Sequence, residues 1–159
     1  MRAVVVFDSF FGNTEKIARA VGAALAAHGE VEVVRVTDAP PDALAGVDAL
    51  VVGSPTRAFR ATPAIRTFVR RIPRGGLRGV RVAAFDTRIA VREVGSRILS
   101  FLVRLFGYAA EPTDATLRGK GGVRAAEPAG FIVEGSEGPL REGELERAAA
   151  WTRGIASGA

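Results

Sequence analysis

The chain of 159 residues is long enough for one domain with its own core, and its formal net charge is +5. It contains no cysteine and a single histidine, His28, which excludes disulfides, thiolate metal sites and cysteine redox chemistry. No apolar run reaches membrane-spanning length and the chain opens on a strand without a basic leader, so we expect a cytoplasmic protein in which any redox function depends on an organic cofactor.

The first predicted elements are a strand at residues 4–7 and a helix marked by Ile17, Val21 and Leu25, with a short polar loop between them. A loop in this place points free backbone N–H groups, and the positive end of the helix dipole, into one small volume. With the hydroxyls of Ser9 and Thr14 added, that volume suits a phosphate group. The candidate phosphate-binding residues are Ser9, Phe10, Phe11, Gly12, Asn13 and Thr14.

The loop excludes two common nucleotide sites. It is not G-x-x-x-x-G-K-[ST], so it has no lysine for the outer phosphates of a nucleotide. It is not G-x-G-x-x-G either, because Gly12 stands alone and the close approach of a pyrophosphate is not provided for. The pattern favours a phosphate monoester.

Strands and helices alternate along the rest of the chain. The apolar patterns predict strands at residues 31–36, 47–53, 80–85 and 130–133, and helices around residues 65–72, 113–118 and 143–155. This alternation predicts a single α/β domain over residues 1–159, with a doubly wound, five-stranded parallel sheet in the order 2-1-3-4-5. Its ligand crevice would lie at the carboxyl ends of the first and third strands.

Two further loops reach that edge of the predicted sheet. After the third strand, Pro55 stiffens a loop whose hydroxyls can hydrogen-bond a ligand, and Phe59 could lie against a planar ring. After the fourth strand, Thr87 could meet the polar edge of a ligand and Ile89 could offer an apolar face. The candidate residues in these loops are Ser54, Pro55, Thr56, Arg57, Phe59, Thr87, Arg88 and Ile89.

The first loop resembles the phosphate loop of flavodoxins, on Ser9, Gly12 and Thr14 and on the small helix residue Ala18. Residues 54–59 look like the Pro-Thr-Arg loop of flavodoxin-like NAD(P)H:quinone oxidoreductases and of the flavodoxin domains of flavodiiron proteins. The C-terminal part resembles small bacterial flavodoxin-domain proteins. The resemblance implies a flavodoxin-like three-layer fold that binds FMN, with residues 9–14 at the phosphate and residues 54–59 and 87–89 on either side of the ring.

The sequence departs from these families at three places. Phe10 and Phe11 stand where many flavodoxins have small or hydroxylic residues, and Phe59 stands where the quinone reductases have glycine. Residues 86–91 supply neither the glycine nor the stacking tyrosine or tryptophan that is usual in flavodoxins. We therefore expect stacking on the flavin ring to be weaker, or to come from the three phenylalanines.

The predicted helical crossover between the fourth and fifth strands is extended. More than forty residues separate Phe85 from Gly130, and residues 94–106 are apolar nearly all round a helix. This helix could cap the flavin, form the seam of a homodimer, dock on a membrane surface or belong to the core. At about thirteen residues it is too short to span a bilayer.

Positive charge is concentrated in the middle of the chain. Residues 54–110 contain 12 arginines and only two acidic residues, Asp86 and Glu93. The field of this block should surround the flavin edge and attract an acidic redox partner protein, NADPH, or a small anionic or quinone-type substrate. Because the block lacks a recognition-helix pattern and interleaved aromatics, we do not expect nucleic acid as a partner.

These observations predict an FMN-binding electron-transfer protein of flavodoxin-like fold. One alternative is a flavin-dependent reductase acting on a quinone or tetrapyrrole-like substrate. The other is a non-enzymatic interaction module that has kept the fold and lost the flavin. No side chain stands out as a catalytic acid or base.

Overall fold

The computed structural model describes residues 1–40, 42–90, 97–98, 101 and 107–157. In these residues, helices cover both faces of one parallel sheet. The strands are β1 (Arg2–Phe7), β2 (Glu30–Arg35), β3 (Ala49–Pro55), β4 (Arg81–Ile89), β5 (Val123–Arg124) and β6 (Ala129–Val133). The helices are α1 (Asn13–Leu25), α2 (Pro63–Arg71), α3 (Ala110–Gly119), α4 (Glu144–Trp151) and α5 (Arg153–Ser157), and a 3-10 turn at Ala26–His28 follows α1.

The strand order confirms the predicted doubly wound topology, with one correction at the fifth position. The order is β2-β1-β3-β4-β5, and β6 also pairs with β4. β5 lies beside Arg81 and Val82 at the start of β4, whereas β6 lies beside residues 85–89 at its end. Two short strands thus replace the single strand predicted at residues 130–133, and the sheet has six strands instead of five. Pro128 stands between them and has no N–H to donate, which interrupts the ladder.

β4 extends further than the sequence pattern indicated. Residues 86–89, predicted as a loop, continue the strand because their backbone pairs with β6, and up to Thr87 also with β3. Ser54 and Pro55 likewise belong to β3. Both candidate loops therefore begin later than predicted, and their first residues are held in the sheet.

The core has two parts, one on each face of the sheet. Val5 and Phe7 of β1 point to the face covered by α1, α4 and α5, whereas Val4 and Val6 point to the face covered by α2 and α3. All four side chains are buried. This alternation produces the three layers of the fold.

Two helices on the second face are fixed at their first residues by capping contacts. Thr62 precedes α2 and accepts the Ile65 N–H at 3.3 Å, and Pro63 occupies the first helical position, where no N–H is needed. The Ala110 N–H at the start of α3 donates to the Asp86 carboxylate of β4 at 2.8 Å. This contact explains why α3 starts three residues before the helix predicted at residues 113–118.

The apolar helix predicted at residues 94–106 lies mostly outside the described residues. Of that segment only Arg97, Ile98 and Phe101 are described, and all three are exposed. The roles considered for it, including a homodimer seam, stay predictions. In the described part of the chain, no helix is long and apolar enough to cross a membrane.

The edge strand β6 is fastened to α4 by Glu144. Its carboxylate accepts the Ile132 N–H at 2.6 Å and pairs with Arg147 at 2.5 Å. Burial acts to raise the pKa of Glu144, but the hydrogen bonds from Arg147 and Ile132 and the nearby positive charges outweigh it and hold the pKa below its ordinary value. The ionised carboxylate therefore stabilises this edge of the sheet.

Gly53→Ala should destabilise the protein by about 1–3 kcal/mol, because a methyl group at this position would lie 2.1 Å from the Phe85 ring. That ring packs edge-on against Phe131 and Trp151, with centroids 5.9 and 6.1 Å away, and has little room to move. Gly119→Ala is the matched control, since a methyl group there meets nothing within 4 Å and alanine favours a helix. Urea unfolding measures both variants, and equal stability would contradict close packing at Gly53.

Glu144→Gln should lower the free energy of unfolding at pH 7 by about 1 kcal/mol or more, because glutamine loses the charge that faces Arg147. A carboxylate with a lowered folded-state pKa stabilises the fold above its ordinary value of 4.5, and this contribution is lost as the pH falls through the folded-state value. The difference from wild type should therefore shrink below about pH 4.

The control for this variant is Glu146→Gln on the same helix. Glu146 is exposed and makes no hydrogen bond or ion pair with any described residue. Urea unfolding at several pH values compares the two variants. A difference for Glu144→Gln that stays constant with pH would show that the charge of Glu144 is not what stabilises the edge strand.

Candidate functional site

A cavity of about 410 Å³ lies at the carboxyl ends of the central strands, where the three predicted loop regions meet. Eleven of the fourteen candidate residues line it: Ser9, Phe10, Phe11, Asn13, Thr14, Pro55, Thr56, Arg57, Thr87, Arg88 and Ile89. Gly12, Ser54 and Phe59 are not among the lining residues. The crevice therefore lies where the parallel topology predicts it.

The loop between β1 and α1 leaves backbone donors unpaired. Gly12 adopts the left-handed conformation, with φ 88°, and turns the chain into α1. Within the described part of the chain, the N–H groups of residues 10, 11, 13, 14 and 15 donate to no protein acceptor. The last three belong to the first turn of α1, where the N–H groups have no carbonyl acceptor within the helix. Five donors at the positive end of a helix dipole are therefore available to an anion.

The hydroxyl groups beside these donors also keep protons for a ligand. Ser9 Oγ accepts the Gly12 N–H at 3.0 Å, which leaves its own proton free to donate. The buried Thr14 and Thr87 hydroxyl oxygens lie 2.7 Å apart. Their mutual hydrogen bond uses one of two protons, so the pair can still donate once.

Arg35 of β2 supports the same loop, and sequence reasoning missed it. Its guanidinium donates to the Ser9 carbonyl oxygen at 2.8 Å and lies 3.4 Å from the Asp8 carboxylate and 3.5 Å from Glu15. Asp8 in turn accepts the Ser9 N–H at 2.9 Å. The positive charge of Arg35 therefore offsets two carboxylates that would otherwise repel an anion at the loop.

At the end of β3 and in the loop that follows it, two hydroxyls position the chain. Ser54 Oγ accepts the Thr62 N–H at 3.0 Å and donates to the Pro55 carbonyl oxygen at 2.9 Å, so it is fully engaged. Thr56 Oγ1 accepts the Ala109 N–H at 3.1 Å, which links this loop to the start of α3. These contacts favour a structural role for the Ser54 hydroxyl.

The next residues form a tight turn that separates two surfaces. The backbone N–H groups of Arg57 and Arg60 donate to each other's carbonyl oxygens at 2.8 and 3.0 Å. Between them, Ala58 and Phe59 have φ 45° and 64°, a left-handed conformation that is unusual for non-glycine residues. Arg57 lies over the Phe10 ring at 4.9 Å on the cavity side, whereas Phe59 lines a second groove. Stacking of Phe59 on a flavin therefore stays a prediction that this placement does not support.

Arg88 lines the cavity, but its guanidinium is already paired. It makes two hydrogen bonds with the fully buried Asp86, at 2.5 and 2.6 Å, and lies 3.7 Å from the Tyr108 ring centroid. Burial raises the pKa of Asp86, and the hydrogen bonds and charge of Arg88 offset this only in part. Glycine at position 130 leaves room for the pair, because a side chain there would start 2.1 Å from Arg88 Nε and the guanidinium would have to shift.

The fourth wall of the cavity was not predicted. It consists of Val133, the last residue of β6, and of Ser136 and Glu137, which follow that strand. Asn13 Nδ2 donates to the Glu137 carbonyl oxygen at 3.0 Å and fastens this segment to the phosphate loop. The carboxyl end of a fifth strand at the same sheet edge was the signal that could have identified it.

The walls combine hydrogen-bond donors with apolar surface. The exposed fractions of Phe10, Phe11 and Ile89 are 56, 51 and 37 %, so apolar groups stand open at the cavity mouth. Among the described residues, no group of three or more histidine, aspartate or glutamate side chains could hold a metal ion. The arrangement suits an anion attached to an apolar or aromatic body.

Comparisons with solved structures show the same fold. Flavodoxin 1 from Bacillus cereus is 18% identical, with 100% of this chain and 99% of that chain covered and a TM-score of 0.77. A flavodoxin, WrbA-like protein from Agrobacterium tumefaciens is 16% identical over 98% of this chain and 95% of that one, with a TM-score of 0.71. Rubredoxin oxygen:oxidoreductase from Desulfovibrio gigas is 19% identical, with 99% of this chain but 35% of that chain covered and a TM-score of 0.66.

A family-level comparison gives the assignment. No curated protein matches the sequence significantly. The sequence model of the flavodoxin domain, in contrast, matches residues 4–113, which span β1 to the first half of α3 and include the three predicted loop regions. The predicted resemblance is confirmed, and the chain belongs to the flavodoxin domain family.

Proposed function

We propose that this protein binds one FMN noncovalently and transfers electrons through it. The observation that carries the proposal is the set of five unpaired backbone N–H groups at residues 10, 11, 13, 14 and 15, at the start of α1. Membership of the flavodoxin domain family supports a flavin as the ligand. The free Ser9 proton and the remaining proton of the Thr14–Thr87 pair add two side-chain donors.

The residues present fit the phosphate end of FMN. Residues 9–14 contain no lysine or arginine, so neutral donors and the helix dipole would hold the dianion. The pairing of Asp8 with Arg35 keeps negative charge at the loop low. A volume of about 410 Å³ lies within the range of small-molecule sites, which is about 300–1,000 Å³.

Each loop would have a distinct task in this protein. FMN supplies one- and two-electron chemistry when bound, and the chain supplies its position and surroundings. Residues 9–14 would fix the phosphate, and residues 55–57 and 87–89 would flank the ring. Phe10 and Ile89, both at the cavity mouth, would limit the access of water to the ring.

A flavin-dependent reductase is the second candidate function. The observation that favours it is a larger groove beside the cavity. The two adjoin each other, since Arg57 and Ala58 line both. Such a groove could place a quinone, a tetrapyrrole-like compound or a nicotinamide cofactor beside the flavin. Turnover of NADPH with a quinone by the FMN-loaded protein would favour the reductase over a carrier.

Titration of the apoprotein with FMN and with riboflavin tests whether residues 9–14 bind the phosphate. Quenching of flavin fluorescence reports binding, and riboflavin lacks the phosphate while keeping the ring. We expect FMN to bind at least about a hundredfold more tightly, which corresponds to about 2.7 kcal/mol. Absence of FMN binding would favour the interaction module, and equal affinities would overturn the role of the phosphate loop.

Thr14→Val should raise the Kd for FMN about tenfold, because it removes one hydroxyl of the buried Thr14–Thr87 pair beside the phosphate loop. The Kd for riboflavin should change much less. Thr67→Val is the matched control, since Thr67 is an exposed residue of α2 that does not line the cavity. Equal weakening of both flavins by Thr14→Val would show that Thr14 only shapes the cavity.

A further inference from the structure

A second groove, of about 870 Å³, lies between α2, α3 and the turn at residues 57–60. Its volume is about twice that of the cavity proposed to bind FMN, called the flavin cavity below, and lies within the range of small-molecule sites. The sequence comparison and the proposed FMN site assign nothing to it, and the reductase named as the second candidate function leaves the class of its ligand open. We refer to it as the arginine groove, because Arg57, Arg60, Arg66 and Arg70 line it.

The charge of the arginine groove is not balanced by acidic residues. In the part of the chain that the structure describes, no aspartate or glutamate lines it, and its four arginines form no ion pair. The acidic residues of the neighbouring helix α3 are engaged elsewhere: Glu111 lies 3.7 Å from Arg88, and Asp114 lies 2.5 Å from Arg124. Four positive charges around one concave surface create a strong attraction for an anion.

Arg66 provides an independent sign of a missing partner. Its Nε is buried and has no hydrogen-bond acceptor. Leaving a buried donor of a charged group unpaired costs free energy, so native structures rarely do so. Phosphate oxygens in the groove would bring acceptors to this guanidinium, which can bind phosphate with two parallel hydrogen bonds. Arg70, one helical turn further along α2, lines the same groove.

Most of the remaining lining of the groove is apolar, and Thr113 and Thr116 add two hydroxyl groups. Ala61, Val69, Ala109 and Pro112 contribute to it, and Phe59 stands in the turn at its edge. An inorganic anion would leave this surface uncovered, whereas a ligand with an aromatic ring would bury it. Charge and apolar surface together therefore describe an amphipathic ligand.

We propose that the arginine groove binds a nucleotide-class ligand, a small molecule with two or more phosphate charges attached to an aromatic ring. A concave groove of this volume suits a small molecule better than the flatter surface of a docking protein. Because Arg57 and Ala58 also line the flavin cavity, the ligand would lie next to the flavin. Its role as an electron donor or acceptor rests on the FMN site proposed above, whereas its binding to the groove does not.

Isothermal titration calorimetry with ADP tests the proposal. The full-length protein is titrated with ADP and with uncharged adenosine, once saturated with FMN and once free of flavin. We expect ADP to bind in both forms without displacing FMN, and at least about tenfold more tightly than adenosine. ADP binding to the flavin-free protein that is weakened by substitution of Arg66 or Arg70, which line only the groove, would support the groove even if the FMN proposal failed.

Arg66→Gln and Arg70→Gln should each raise the Kd for ADP about tenfold. Arg71→Gln is the matched control, because Arg71 is exposed on the same helix, carries the same charge and does not line the groove. Thermal melting checks that the half-buried Arg66 variant folds, and the exposed Arg70 variant provides the test if it does not.

Three results would overturn the assignment. If Arg71→Gln raised the Kd for ADP as much as the groove variants do, ADP binding would depend only on general electrostatic attraction. Displacement of FMN by ADP would place the nucleotide in the flavin cavity instead. Tighter binding of a hexaglutamate peptide than of ADP would indicate a surface for an acidic protein.

Discussion

The candidate site depends on the parallel register of β1, β3 and β4. This register sets Phe7, Gly53 and Phe85 side by side, so the loops that follow the three strands leave the sheet at the same level. Gly53 permits the arrangement, since the Phe85 ring fills the space that another side chain would need. The hydroxyls of Thr14 and Thr87 can then meet at 2.7 Å. Apolar packing in the sheet thereby places polar groups that the loops alone would not hold in position.

Polar groups at the site fall into two sets: some are paired within the protein, and others keep hydrogen-bond donors free. Ser54 and the Asp86–Arg88 pair satisfy one another or the backbone, and they hold the walls. The N–H groups of the first turn of α1 and the hydroxyl of Ser9 keep donors that the protein does not use. A buried pair such as Asp86–Arg88 adds little net stability, because desolvation consumes most of its attraction. Its effect here is to fix the start of α3 through the Ala110 N–H, and α3 forms one side of the arginine groove.

The sequence predicted best what is local in the chain. The strand, loop and helix at residues 4–25 follow from an apolar run, a glycine and a helical repeat, and the order of the sheet follows from the alternation of elements. Contacts between distant residues could not be predicted in this way: Asn13 meets the Glu137 carbonyl 124 positions later. The split of the fifth strand, the pairing of Arg88 and the support from Arg35 likewise depend on which elements become neighbours. Sequence patterns specify the loop between β1 and α1, whereas tertiary packing decides which side chains stay free.

The arginines of residues 54–110 have different roles because tertiary packing gives them different neighbours. The phosphate site proposed at the start of α1 uses neutral backbone donors, so positive side chains are not needed there. Arg88 is neutralised by Asp86, and the unpaired guanidiniums of Arg66 and Arg70 collect on the other side of the turn at residues 57–60. The fold thus separates the proposed phosphate site, whose residues 9–14 carry no charged side chain, from a strongly basic groove by a single tight turn. Two negatively charged ligands could occupy them together, since the charge of each would be balanced by its own set of groups.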